Sequence, residues 1–94
     1  MKVYLAGPMR GLPNLNFEAF TKAAEQLRNQ GHEVYNPAAA NLDGLPLKQI
    51  MAHVLWWLCH EAEAVAFLPG WRKSGGARIE FLIAKYLGYT IIKL

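Results

Sequence analysis

The sequence predicts an α/β fold, a Rossmann-like three-layer sandwich whose parallel sheet of four or five strands has helices on both faces. Two observations lead to this prediction. Short apolar segments alternate along the chain with longer segments of helical periodicity, which favours parallel strands joined by crossover helices. The third apolar segment is continuously apolar, as in a strand that is buried on both faces. The 94 residues are enough for one domain over residues 1–94.

Four segments are predicted as strands, and each of the first three ends at a residue pair that breaks regular structure. They are Lys2 to Ala6 before Gly7-Pro8, His32 to Tyr35 before Asn36-Pro37, Ala64 to Leu68 before Pro69-Gly70, and Tyr89 to Lys93.

Three helices are predicted between these strands. The first runs from Phe17 to about Asn29, with Asn16 as its N-cap and Gly31 beyond its end. Its inward stripe is predicted to be Phe17, Phe20, Ala23, Ala24 and Leu27. The third helix follows a Gly-rich loop and stops at Gly88.

The second helix, Leu47 to His60, is apolar on nearly all sides. A helix with one solvent-exposed face would not have this composition. The second helix is therefore either sandwiched between other elements or part of a subunit interface. A domain of this size can hardly hide all of these residues, Trp56 and Trp57 among them. We therefore expect a homodimer or a larger homo-oligomer built mainly on this helix.

Composition and charge argue against several classes of protein. The chain is 53% hydrophobic and 18% charged, as globular proteins are, and no stretch approaches the ~20 apolar residues of a membrane span. The net charge is +3 and the basic residues form no stripe, so a nucleic-acid partner is not expected. The one cysteine, Cys59, allows no intrachain disulfide, which fits a cytoplasmic protein, and we expect it to pack in the core.

Neither a metal nor a cofactor is expected. His53 and His60 share a helical face but lie two turns apart, and no other group of histidine, cysteine and carboxylate residues has metal-ligand spacing. The first loop lacks the glycine fingerprint of dinucleotide-binding folds, and no phosphate-binding lysine loop occurs.

Glu80 is the most informative residue of the chain. It lies on a helical face of small or apolar residues, so its carboxylate should point inward. That face consists of Gly76, Glu80, Ile83, Ala84 and Leu87. A buried carboxylate costs free energy unless something pairs with it, and such groups concentrate at functional sites. The alternative is a structural Glu80 that pairs with Arg78, Arg72 or Lys73, or that is stabilised by the helix dipole.

Three predicted loops lie at the carboxyl ends of the strands, where ligands of open parallel sheets bind. They are Gly7 to Asn16, Asn36 to Pro46, and Pro69 to Gly76. The first and third are rich in glycine and become neighbours if the first and third strands pair. Arg72, Lys73 and Arg78 concentrate positive charge near the third loop, which suits a small anionic ligand as well as it suits a solvated loop.

The chain resembles the nucleoside 2-deoxyribosyltransferase-like superfamily in two segments, which are Val3-Tyr4-Leu5-Ala6-Gly7-Pro8-Met9-Arg10-Gly11 and Phe67-Leu68-Pro69-Gly70-Trp71 through Ser74-Gly75-Gly76-Ala77-Arg78-Ile79-Glu80. The second segment is most similar to the small DUF4406 branch, which is common in phages and prophages. The resemblance covers nearly the whole chain.

The resemblance implies cleavage of the N-glycosidic bond of deoxynucleosides or their 5′-monophosphates, by hydrolysis or by transfer to another base. Glu80 matches the family's catalytic glutamate, which attacks the anomeric carbon, and Tyr4 matches a tyrosine that orients it. Ser74 matches a serine that contacts the phosphate in monophosphate hydrolases. Transferases have an aspartate there, so the chain leans toward monophosphates and hydrolysis. The alternatives are a strand aromatic at Tyr4 and a helix N-cap at Ser74.

The predicted substrate-binding residues lie in the first and third loops and at the start of the first helix. They are Gly7, Met9, Arg10, Gly11, Phe17, Gly70, Trp71, Ser74, Gly75 and Gly76. Backbone N–H groups at Gly75 and Gly76 would favour a phosphate. Trp71 follows Pro-Gly in an exposed turn and would either stack on a base, or cover the core or contact a partner subunit.

One departure from the family concerns proton transfer. The family carries an aspartate on the second helix that protonates the leaving base, and the matching position here is Leu55 or Trp56, neither of which can transfer a proton. His53, Glu61 or Asp43 would have to substitute, and the spacing singles out none of them. Two further hypotheses therefore stay open: a nucleotide-binding protein without turnover, and an oligomeric interaction protein.

Overall fold

The computed structural model describes residues 1–40, 42 and 44–94. Within these residues, four strands and three α-helices alternate along the chain. The strands are β1 (Lys2–Ala6), β2 (Glu33–Tyr35), β3 (Ala64–Phe67) and β4 (Thr90–Lys93), and the helices are α1 (Phe17–Asn29), α2 (Leu47–His60) and α3 (Gly75–Leu87). Short 3-10 turns lie at Pro13–Asn16, Pro37–Ala39 and Trp71–Lys73.

All four strands are parallel and lie in the order β2-β1-β3-β4. The chain therefore first moves from β1 to β2 and then crosses back to β3, which places the reversal of strand order between β1 and β3. This confirms the predicted Rossmann-like sandwich with a four-stranded sheet. The described residues contain no fifth strand.

Each face of the sheet has its own core because side chains alternate along every strand. Val3 and Leu5 of β1 pack with α1, together with Phe20 and Leu27. Tyr4 and Ala6 point to the other face. There they pack with residues of α2 and α3, namely Val54, Leu58, Ala77 and Ala84. The predicted inward residues of α1 are buried, except for Phe17.

The start of α1 differs from the prediction. Asn16 adopts a left-handed conformation with φ 61° and makes no side-chain capping bond. Its Nδ2 instead donates to the Pro8 carbonyl at 3.0 Å, which ties the end of the first loop back to its beginning. Phe17 is 44% exposed, because the inward stripe begins one turn later at Phe20.

Two other residues predicted to face inward are exposed. Cys59 follows the buried Leu58 by one position, about 100° around the helix, and this rotation turns it to solvent. Leu87 is 46% exposed, so the buried stripe of α3 is formed by Ala77, Glu80 and Ala84 alone.

Strand boundaries shift by one residue at three ends. β2 begins at Glu33, because the His32 N–H donates to the Leu27 carbonyl of α1 at 3.2 Å and is not part of the sheet. β3 ends at Phe67 and β4 begins at Thr90. Among the residues described, no helix combines the length and apolarity that a membrane crossing requires.

Candidate active site

The first and third loops lie side by side at the carboxyl ends of β1 and β3, as predicted. The Leu68 N–H donates to the Ala6 carbonyl at 2.9 Å. A Cβ added at Gly7 would lie 2.8 Å from the Cβ of Leu68. Only glycine therefore allows the first and third loops to approach each other this closely. Gly70 has φ 83° and lies against the ring of Pro8. The two glycine-rich loops therefore form one contiguous surface at the point of strand reversal.

Glu80 points inward from α3 and is only 6% exposed, which confirms the predicted orientation. Its Oε2 accepts a hydrogen bond from the Tyr4 hydroxyl in the middle of β1, and Tyr4 is 1% exposed. Ala77 and Ala84, one turn to either side of Glu80, are also buried and let α3 lie close to the sheet. The strand pairing and the helix register together bring these two side chains into contact.

The carboxyl group of Glu80 has no basic partner within the described part of the chain. The ion pair found there joins Lys2 and Glu61, while Arg72, Lys73 and Arg78 remain exposed. The alternative in which Glu80 pairs with Arg72, Lys73 or Arg78 is therefore wrong. A buried carboxylate without a cation is costly, and the protein meets only part of that cost with one hydrogen bond.

Burial raises the pKa of Glu80 from 4.5 to about 7, and the hydrogen bond from Tyr4 opposes this shift by favouring the ionised form. The carboxyl group therefore titrates near neutral pH. Burial and the neighbouring Glu80 charge raise the pKa of Tyr4 well above 10, so the phenol stays protonated and remains a donor. A poised carboxyl group with a fixed donor on one oxygen is typical of functional sites.

Two aromatic side chains extend this pair toward α2. The rings of Tyr4 and Tyr35 are 5.5 Å apart and nearly parallel at 9°, and the Tyr35 and Trp57 rings are stacked 5.0 Å apart. Sequence analysis did not single out Tyr35. The signal was weak, because its position beside Tyr4 follows from the pairing of β1 with β2 rather than from any motif.

Ser74 caps α3, because its Oγ accepts from the Ala77 N–H at 3.2 Å. The N-cap interpretation is therefore confirmed, and the phosphate contact stays a prediction. Gly75 and Gly76 follow in the first turn, where a Cβ would meet nothing within 4 Å. Packing within the protein therefore requires glycine at neither position, although glycine weakens a helix. Open space beside the first backbone N–H groups of a helix suits an approaching anion.

Trp71 covers the core, which confirms one of the alternatives that the sequence left open for it. It is 9% exposed, and its ring stacks on Phe81 at 4.8 Å and packs against Phe67 at 4.7 Å. The Arg72 guanidinium lies over the same ring, 4.9 Å from its centre. A role for Trp71 in stacking on a base stays a prediction. Trp71 also borders a cleft of about 300 Å³ lined by residues 67–73, Lys93 and Leu94, and this cleft touches neither Tyr4 nor Glu80.

The remaining predicted binding residues lie on or near the first loop. Arg10 and Gly11 are exposed at its tip, and Met9 packs against the apolar cluster beneath α1. The loop then turns through three left-handed residues, Asn14 to Asn16, with φ of 50°, 53° and 61°. Left-handed backbone is unfavourable for a residue such as leucine at the middle position. The structure gives no contact between these residues and Glu80.

The described residues that the sequence offered for proton transfer, His53 and Glu61, lie away from the loops at the carboxyl ends of the strands. His53 is exposed and lines an open groove with Ala52 and Trp56 on the outer side of α2. Glu61 lies 3.8 Å from Lys2 Nζ, at the amino edge of the sheet and opposite the loops. Leu55 is apolar, and Asp43 lies outside the described residues.

The sequence profile of one family, described as "Domain of unknown function (DUF4406)", matches residues 1–93, so the chain belongs to that family. No curated protein matches the chain significantly.

Proposed function

We propose that this member of the DUF4406 family cleaves the N-glycosidic bond of nucleosides or of (deoxy)nucleoside 5′-monophosphates through a Glu80 nucleophile, as a hydrolase or a deoxyribosyltransferase. The proposal relates the family to the nucleoside 2-deoxyribosyltransferase-like superfamily. One observation carries it: the buried carboxyl group of Glu80 is held by Tyr4 and paired with no cation among the described residues.

The geometry suits a retaining displacement at the anomeric carbon. Tyr4 holds Oε2 of Glu80, which leaves Oε1 without a protein donor in the described residues. In the proposed reaction Oε1 bonds to C1′ of the sugar while the C1′–N bond breaks and its electron pair leaves with the base. The positive charge that develops on the sugar ring is stabilised by a carboxylate in a low-dielectric site.

Water or an acceptor base then attacks C1′ from the opposite side and releases Glu80. The first step requires Glu80 to be ionised, and the second step regenerates the ionised carboxylate. Because burial raises the pKa of Glu80 to about 7, kcat/KM should rise with pH through about 7 and level off above it.

The first turn of α3 is the proposed phosphate site of 5′-monophosphate substrates. Gly75 and Gly76 leave open space beside the first N–H groups of the helix, and the Ser74 hydroxyl lies at the same end. These donors and the helix dipole favour an anion. Arg10, Arg72 and Lys73 are exposed and would add positive charge at this edge of the sheet.

The test is release of free base, measured chromatographically. Wild type, Glu80→Gln and the matched control Glu25→Gln, an exposed carboxylate of α1, are incubated with ribo- and deoxynucleosides and their 5′-monophosphates, with and without an acceptor base. Wild type and the control should release or exchange base, and Glu80→Gln should lose at least about 10³-fold in rate. Turnover by Glu80→Gln at the wild-type rate would reject Glu80 as nucleophile. If folded wild type turned over none of these substrates, the proposal that the protein is an N-glycosidic enzyme would be rejected.

The second candidate is a nucleotide-binding protein without turnover. The supporting observation is that Glu80 is the one buried carboxylate among the described residues. No second buried carboxyl group is therefore found there to protonate a leaving base. Calorimetric titration with the same nucleotides distinguishes the two candidates. Saturable binding without base release would favour this candidate.

The third candidate is an interaction protein that acts as a homo-oligomer. The supporting observation is that large apolar side chains are exposed on both helices of one face: Trp56 of α2 is 54% exposed, and Leu82 and Tyr86 of α3 are 67% and 91% exposed. An interface built on α2 would therefore extend onto α3. Sedimentation should give an oligomer for wild type and a smaller species for Leu82→Glu, and a monomeric wild type would reject this candidate.

A further inference from the structure

Tyr35 lies next to the candidate nucleophile by strand pairing. It is the last residue of β2 and stands directly beside Tyr4 of β1, so both side chains rise from the same face of the sheet. Its ring stacks nearly parallel on Tyr4 at 5.5 Å and at 24° on Trp57 at 5.0 Å, and the Tyr4 and Trp57 rings are 6.3 Å apart, so the three rings form one compact cluster. These contacts hold the Tyr35 ring beside that of Tyr4.

The hydroxyl of Tyr35 has no protein partner among the described residues. The phenols of Tyr4 and Tyr89 donate to Glu80 and to the Leu58 carbonyl, whereas Tyr35 makes no such bond. It is also not a buried, unsatisfied group, since the described residues contain none. Within the described part of the chain, Tyr35 therefore presents a donor that no protein group uses.

The same hydroxyl lies within the electrostatic reach of Glu80. Burial and, second, the Glu80 charge raise the pKa of Tyr35. The phenol is therefore protonated near neutral pH, where the Glu80 carboxyl group titrates. The described candidates that the sequence offered for proton transfer, His53 and Glu61, lie on the outer side of α2 and at the amino edge of the sheet.

We propose that Tyr35 contacts the leaving base and protonates it as the glycosidic bond breaks. This inference rests on the proposed function. In the first step Oε1 of Glu80 bonds to C1′, the C1′–N bond breaks, and the Tyr35 proton passes to the base, leaving a phenolate. In the second step water attacks C1′ and gives its proton to that phenolate, while the ester bond breaks and Glu80 becomes a carboxylate again.

Proton transfer and bond formation assist each other in this arrangement. The negative charge of Glu80 holds the Tyr35 proton in place before reaction. That charge disappears as Oε1 forms its bond to the sugar, so the phenol becomes a stronger acid as the base departs. When the ester is hydrolysed, the carboxylate charge returns and the phenolate recovers its proton. One residue thus acts first as acid and then as base, as in retaining glycoside hydrolysis.

The test compares two leaving groups in Tyr35→Phe, which keeps the stacked ring and loses only the hydroxyl. The substrates are a 2′-deoxynucleoside, whose base needs a proton, and 4-nitrophenyl 2-deoxyriboside, whose leaving group does not. The first-turnover rate of Tyr35→Phe should fall about 10²–10³-fold with the nucleoside and less than about threefold with the nitrophenyl substrate. Tyr86→Phe, the same change at a 91% exposed position, should leave both rates unchanged.

The ratio of the two rates is decisive because both are measured on the same preparation. Partial unfolding of the variant would lower both rates by the same factor and leave their ratio unchanged. Equal slowing of both leaving groups, or no slowing, would overturn the role of Tyr35. Tyr35→His, which retains a proton donor, should recover part of the nucleoside rate and gives a second ratio if Tyr35→Phe does not fold. Wild type that turns over neither substrate would overturn the proposed function, and this inference with it. Wild type that is active and Glu80-dependent, with an unchanged ratio in Tyr35→Phe, would overturn only this inference.

Discussion

The two faces of the sheet are built from the same strands but have different chemistry. On one face, Val3 and Leu5 pack under α1 in an apolar cluster. On the other, Tyr4 packs under α2 and α3 and donates to a buried Glu80. Successive residues of β1 thus contribute alternately to a plain core and to an ionisable site.

This difference separates stability from function. The core of the α1 face contributes to stability alone, because the buried side chains described there are all apolar and none can ionise. The α2–α3 face holds a carboxyl group whose pKa is raised to about 7 by burial, so its ionisation works against folding. A group that lowers the stability of its own protein near neutral pH is typical of a functional site.

Phe20→Ala should be the most damaging change on the α1 face. Phe20 is fully buried, and truncation of a buried phenylalanine costs about 3–5 kcal/mol. The loss should be the same at pH 4 and pH 8, as measured by urea unfolding. A loss that changes with pH would show that the α1 face is coupled to the ionisable face.

Glu80→Gln should stabilise the protein at high pH. The folded pKa of about 7 lies above the ordinary value of 4.5, so the unfolded chain releases this proton first as pH rises. Wild type therefore loses stability between pH 4.5 and about 7, by about 3 kcal/mol in total.

The variant should match wild type in urea unfolding at pH 4 and exceed it at pH 8 by about 3 kcal/mol, which is the size of the wild-type loss. Glu25→Gln, at an exposed position, should show no such difference. A Glu80→Gln variant less stable than wild type at pH 8 would assign Glu80 a structural role.

Tyr4→Phe should raise the pKa of Glu80 above 7, because the hydrogen bond that it removes favours the ionised carboxylate. Hydrogen bonds to charged groups contribute about 1.5–3 kcal/mol, so base release at pH 6 should fall by about tenfold or more. The loss should shrink at pH 9. Carbon NMR of the labelled Glu80 carboxyl group measures the shift whether or not substrate is turned over, and an unchanged or lowered pKa would contradict the assigned bond.

Ser74→Ala should have the smallest effect on stability, about 1 kcal/mol at any pH, because it removes the N-cap bond to Ala77. If the α3 terminus also binds phosphate, KM should rise for 5′-monophosphates and stay constant for nucleosides. Ser74→Thr keeps the hydroxyl and should preserve both properties. An equal rise in KM for both substrate classes would limit Ser74 to capping.

The sequence predicted the elements and the orientation of Glu80 because both follow from local periodicity. The apolar segments gave the strands within one residue, and helical spacing placed Glu80 inward. The predictions for Cys59 and Phe17 failed because composition alone does not say which side of a helix meets the sheet. Asn16 failed as a cap because its side chain bonds to Pro8, across a loop whose backbone no local rule predicts.

Periodicity and glycine placement in the sequence alone thus determined a parallel α/β fold with a buried carboxyl group near two glycine-rich loops. The surroundings of that carboxyl group depend on contacts that form only in the folded chain. The pairing of β1 with β2 puts Tyr35 beside Tyr4, and the packing of α3 on the sheet brings Glu80 to Tyr4. The burial, hydrogen bonding and pKa of Glu80 are set by contacts between residues that lie far apart in the chain. No short segment of the sequence contains both partners of such a contact.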